Sequence, residues 1–175
     1  MNLKGEIEME QKFADKLREI ANQTSEDDAL IQKLNLMFER YAPGLKEKLP
    51  EGVQKDLIKL AKQKQYKMTI LIDNYSSNKL ENQKAITIND CKEDVGTLKN
   101  IFRQAQLSSL VDYEKHIVSQ QLEYKAHGNR YSIYLNANGL LAFSVVLGAD
   151  SLAKVLKSED FEVSILDSKK LLVKW

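Results

Sequence analysis

Near Tyr66 the recurrence of apolar residues shifts from a period of about 3.6 to a period of about 2. The chain is patterned as helix ahead of that point and as strand behind it. This places it in the α+β class. The expectation is an N-terminal helical segment of about three helices over residues 1–65, followed by a mainly antiparallel sheet domain with two helices over residues 66–175.

Met9, Phe13, Leu17 and Ile20 recur at helical spacing and make one apolar stripe. Asn22–Ser25 interrupts the pattern, and Thr24 or Ser25 could cap a second helix whose first turn holds Glu26, Asp27 and Asp28. Leu30, Leu34, Met37, Phe38 and Tyr41 form its apolar face, and Ala42-Pro43-Gly44 stops it. A third helix begins near Pro50 and presents Val53, Leu57, Leu60 and Ala61 to a core.

Met68–Asp73 and Lys84–Asn89 read as strands, separated by a polar loop over Asn74–Gln83. Asp90 with Glu93 resembles a capping box for a helix bearing Val95, Leu98, Ile101 and Phe102. Lys115–Lys125 reads as one strand, with a turn at His127–Asn129. Tyr131, Ile133 and Leu135 alternate with polar residues, and Asn136–Gly139 is a hairpin signal. Leu140–Leu147 is apolar on both sides, as expected of an interior strand. A short helix capped by Asp150 follows, burying Leu152, Val155 and Leu156. A hairpin carrying Phe161, Val163, Ile165, Leu171, Val173 and Trp175 then closes the sheet.

Net charge is only +1, so the chain as a whole is no polyanion binder, but the charge is unevenly spread. Residues 1–28 hold four Lys/Arg against eight Asp/Glu, and residues 44–67 hold seven Lys against three acids. Lys55, Lys59 and Lys62 fall within about 60° on one side of the third helix, opposite its apolar face. Such a stripe suits phosphates or an acidic partner, and a solvated helix face has the same pattern. The acidic leading segment offers it a counterpart, within the fold or between subunits.

The single cysteine, Cys91, allows no intramolecular disulfide, and a reducing, cytoplasmic compartment is the expectation. The first twenty residues lack the apolar run of a signal peptide, and Leu140–Leu147 is too short to span a bilayer, so no membrane association is expected. His116, His127 and Cys91 show no paired metal-ligand spacing, no G-x-S-x-G elbow occurs, and no glycine-rich phosphate loop is present. No catalytic residue, metal site or cofactor is therefore assigned.

Glu123-Tyr124-Lys125, with Asp112 upstream, resembles the E-x-K core of restriction-endonuclease-like nucleases. The resemblance implies a carboxylate pair for Mg²⁺ and a lysine near the scissile phosphate. Here a turn and a strand follow the E-x-K, where that family has a helix. Lys125 and Arg130, among Tyr124, Tyr131 and Tyr134, also interleave basic and aromatic residues as single-strand binding platforms do. Tyrosine is equally an ordinary strand residue. The stretch GNRYSIYLNANGLLAFSVVLG, with the helix and hairpin after it, is similar in layout to the double-wing DNA-binding domain of phage middle-promoter transcription activators, over about half of the chain. That resemblance implies a nucleic-acid alternative and transfers no residue.

The sequence thus favours a non-enzymatic macromolecular interaction protein, an adaptor, inhibitor or regulatory factor, with Met9, Phe13, Leu17 and Ile20 as its contact stripe. The partner is another protein or a second copy. The first alternative is a DNA- or RNA-binding regulatory protein using Lys55, Lys59, Lys62, Lys125 and Arg130. The second is a metal-dependent nuclease centred on Asp112, Glu123 and Lys125.

Overall fold

The computed structural model describes the backbone of residues 3–175 and, within that range, every side chain except those of residues 3–12 and 19–26. The protein is α+β, with helices leading and antiparallel sheets following. Four α-helices are present among the described residues: α1 (Leu3–Tyr41), α2 (Glu51–Lys62), α3 (Val95–Leu107) and α4 (Ala149–Ser158). Eight strands accompany them: β1 (Lys67–Leu71), β2 (Glu81–Thr87), β3 (Asp112–Lys115), β4 (Ser119–Ala126), β5 (Asn129–Asn136), β6 (Leu140–Val146), β7 (Glu162–Asp167) and β8 (Lys170–Lys174).

The expected break at Asn22–Ser25 is absent, and α1 is one helix of 39 residues. The reason lies in magnitudes. Asn, Gln, Thr and Ser in a helix interior cost only up to about 0.7 kcal/mol each, against about 1 for Gly and about 3 for Pro. Between Gly5 and Pro43 the chain has neither breaker. At 1.5 Å per residue α1 is about 58 Å long.

The C-terminal half of α1 enters the core through Leu30, Leu34, Met37 and Phe38. Phe38 meets Tyr131 and Phe143 edge-on at centroid distances of 5.1 Å each, and Tyr124 at 6.2 Å. The Tyr124 hydroxyl, on the sheet, donates to Asn35 Oδ1 at 2.9 Å, so the polar end of a buried ring is satisfied by the same helix. α3 lays Leu98, Ile101, Phe102 and Ala105 against the core as its periodicity predicts. Ser108 at its end donates to Asp27 of α1 at 2.9 Å.

The larger sheet has strand order β2-β6-β5-β4-β3, all antiparallel. Leu122, Tyr124, Tyr131, Ile133, Leu141, Phe143 and Val145 point to its helix-covered face. Their neighbours Glu123, Lys125, Arg130, Ser132 and Tyr134 alternate onto the opposite, open face. β6 lies inside the sheet, as its largely apolar run implied. The single strand expected over Lys115–Lys125 is a hairpin of β3 and β4 turning at His116–Val118. The helix after β2 also starts differently. Thr87 and Asp90 form the capping box of a 3-10 turn at Ile88–Asp94, ahead of α3. Gly148, not Asp150, is the N-cap of α4.

The C-terminal hairpin does not close the large sheet. β8 pairs with β1 and β7, forming a separate sheet of order β1-β8-β7. β1 and β8 lie about a hundred residues apart, and local periodicity holds no trace of that pairing. Met68, Ile70, Leu171 and Val173 join the same hydrophobic cluster as α1, α3 and the large sheet. Ala61, expected in the core, is exposed, whereas Val53 and Leu57 of α2 are buried.

Phe38 therefore carries much of the contact between α1 and the sheet. Phe38→Ala should lower unfolding stability by about 3–5 kcal/mol in a urea titration. Leu36→Ala, on the exposed side of the same helix, should change it by no more than about 0.5 kcal/mol.

Candidate functional site

Of the four stripe residues on α1, Phe13 is 71% exposed and Leu17 is 51% exposed. They stand one turn apart on the same helical face. The side chains of Met9 and Ile20 lie outside the described residues. Among the described side chains of α1, those in the core begin at Leu30. Arg18, next to Leu17, is taken up by Asp15 on its own helix at 3.1 Å.

α2 places Lys55, Lys59 and Lys62 on its exposed side, with Ile58 among them at 55% exposure. None of the three has an ion-pair partner among the described residues, although Lys59 lies close enough to Asp56 to influence it. Asp56 is already committed. It accepts a short hydrogen bond from the Tyr75 hydroxyl and two from Lys79 Nζ, the nearer at 3.0 Å. Burial alone would raise the pKa of Asp56. The hydrogen bonds from Tyr75 and Lys79, and then the charges of Lys79 and Lys59, outweigh it and hold the carboxyl below its ordinary value of 3.8. Burial and the same bond push the Tyr75 phenol up. Gly52 permits this docking: a Cβ there would lie 2.5 Å from the Lys79 Cα.

On the open sheet face Lys125 stands directly opposite Arg130, and Asp112 directly opposite Glu123. Arg130 Nε lies 3.5 Å from Glu123 Oε1. The structure thus brings Asp112, Glu123 and Lys125 onto one surface. One of the two carboxylates is engaged by a guanidinium, and the strand continues into a hairpin. Among the described residues, no group of three or more His, Cys, Asp or Glu side chains could hold a metal ion.

The other sequence candidates are dispersed. Cys91 is 2% exposed, and burial, then Asp94 and Asp90, raise its pKa, which keeps the thiol protonated. Asp94 in turn accepts a short hydrogen bond from the Tyr41 hydroxyl. Burial, followed by that bond, pushes the Tyr41 pKa up to about 12. His116 faces Glu114 at 3.4 Å on the surface. His127 occupies the β4–β5 turn with φ 54° and lines a pocket of about 250 Å³ under the end of α1, with Glu39 and Glu47. No described helix is long and apolar enough to cross a membrane.

In comparisons with known proteins, no family model, curated protein or solved structure matches this chain. Its functional surfaces are therefore read from its own geometry. Two features escape sequence reasoning. Ile117 and Val118 are fully or largely exposed at the β3–β4 tip, because the segment turns where one strand was expected. Lys169, in the β7–β8 turn, lines one cleft with Lys125 and Arg130, and no local signal joins residues so distant in sequence.

The Asp56 anchor has a defined pH dependence. Its depressed carboxyl stabilises the fold above pH 3.8, and that contribution fades as pH falls through the lower, folded-state value. Asp56→Asn should lower the unfolding midpoint at pH 7. The gap from the wild-type chain should narrow as thermal melts are taken progressively below pH 3.8.

Proposed function

We propose that this chain is a non-enzymatic macromolecular interaction protein, an adaptor, inhibitor or regulatory factor, that binds another protein through α1. The observation that carries this reading is the exposure of Phe13 and Leu17, at 71% and 51%, on a helix whose described core side chains begin at Leu30. Fully burying such side chains is worth about 1.5–3 kcal/mol each. A long helix gains most of its stability from packing an apolar face rather than from propensity. A partner that covers this stripe supplies that packing, in the helix-in-groove mode of recognition.

A second reading, DNA or RNA binding by a regulatory protein, has its own support. Lys55, Lys59 and Lys62 form an exposed stripe on α2, and Lys125 and Arg130 sit at the β4–β5 hairpin. Contact of that kind weakens steeply with salt. Apolar contact through α1 does not.

The double substitution Phe13→Glu with Leu17→Glu separates the two readings. Both side chains already face solvent, so the thermal midpoint should stay where it is. Partner capture by immobilised protein, quantified by mass spectrometry, should fall to background, while Lys59→Glu with Lys62→Glu should leave it intact. Equal capture by the wild-type chain and the Phe13/Leu17 variant would remove the α1 reading.

A further inference from the structure

We propose that the cleft between the two sheets is a binding site for a phosphate group, held by Lys125, Arg130 and Lys169. This goes beyond the α1 reading and uses none of its residues. The cleft has a volume of about 660 Å³, in the range of small-ligand sites. The β4–β5 hairpin and the start of α4 form one wall. The segment after β1 and the β7–β8 turn form the other.

Charge is the first argument. Three cations and one carboxylate, Asp73, line the cleft, in a chain whose total net charge is only +1. Lys169 Nζ lies 3.0 Å from Asp73, and Arg130 lies 3.5 Å from Glu123 on the adjoining face. Both pairs are solvent-exposed, so each is worth little and yields readily to a stronger anion. Lys125 has no carboxylate partner among the described residues.

The second argument is a local conflict. Lys125 and Arg130 are directly opposed across the β4–β5 ladder. Like charges in that position destabilise a sheet. An anion lying over both removes the repulsion and gains a guanidinium fork together with ammonium donors. A tetrahedral dianion satisfies that donor set better than a single carboxylate does.

The third argument is rigidity. Asn129 is 2% exposed. Its Oδ1 accepts the Gly148 N–H at 2.9 Å, and its Nδ2 donates to the Tyr131 hydroxyl at 3.3 Å. Gly148 packs so closely that a Cβ there would lie 2.1 Å from the Gly128 carbonyl oxygen. The hairpin turn is thereby fixed to the β6–α4 junction. Its two cations are presented on a backbone that does not need ordering when a ligand arrives, which lowers the cost of binding. Ser77 and Ser168 add hydroxyl donors along the opposite wall.

A phosphate group reaches such a cleft on a free mononucleotide or in a nucleic-acid backbone, and one experiment distinguishes the two. The full chain is titrated with ATP without added metal and with a fluorescein-labelled thymidine strand of about 15 nucleotides, each across a salt series. Lys125→Gln with Arg130→Gln should weaken binding about tenfold or more, and Lys169→Gln should weaken it severalfold. Lys99→Gln with Arg103→Gln, on the exposed side of α3, removes the same charge elsewhere and should leave affinity nearly unchanged. Comparable affinities for ATP and the strand assign the site to a free phosphate. A much tighter strand with a steep salt slope assigns it to a backbone. Two results overturn the proposal: no binding of either probe at low salt, or equal losses from the α3 pair and the hairpin pair.

Discussion

Phe38 sits where α1 crosses the large sheet, with its edge against Tyr131, Phe143 and Tyr124. Aromatic edge-to-face pairs add about 0.5–1.5 kcal/mol beyond the area they bury. The contact also decides orientation, because Asn35, one turn away, meets the Tyr124 hydroxyl. Two such restraints on one helix fix both its position and its rotation. The rest of the arrangement follows from them. The inner face of the sheet is closed by α1 and α3, its outer face stays open, and the described core side chains of α1 begin at Leu30.

The same construction explains why polar chemistry collects at the margins. Buried polar side chains are few, and they act as fasteners. Asn82 donates to the carbonyls of Leu45 and Lys48 at 2.8 Å each and ties the segment after α1 to β2. Asn129 ties the β4–β5 turn to the start of α4. No buried side-chain nitrogen or oxygen among the described residues lacks a hydrogen-bond partner. Charged residues lie outside that core, on α2, on the open sheet face and around the inter-sheet cleft. There they are available to a ligand and cost little when unpaired.

Much of this was legible in the chain. The shift in period near Tyr66, the Asn136–Gly139 hairpin and the apolar run of β6 fixed the fold class because each is a local signal. Asn22–Ser25 resembles a cap in composition, so sequence alone points to a break, but it carries too small an energetic penalty to end a helix, and α1 runs through it. The β3–β4 turn holds Ile117 and Val118, residues that ordinarily mark strands, so composition there points to one strand rather than a hairpin. The second sheet and the approach of Lys169 to Lys125 and Arg130 are non-local facts, set by β1 pairing with β8. Phe13 and Leu17 were identified from spacing alone. Their exposure belongs to the structure.

The protein-binding surface proposed for this chain is the face of α1 that carries Phe13 and Leu17. Site-specific photo-crosslinking tests it most directly. A photoreactive residue is placed at Leu17, and a second chain carries it at Leu36, also exposed at 62% but about 100° around the helix and in its core-packing half. The account predicts one discrete protein adduct from position 17 and none from position 36. No adduct from position 17, or indistinguishable adducts from both positions, would contradict it.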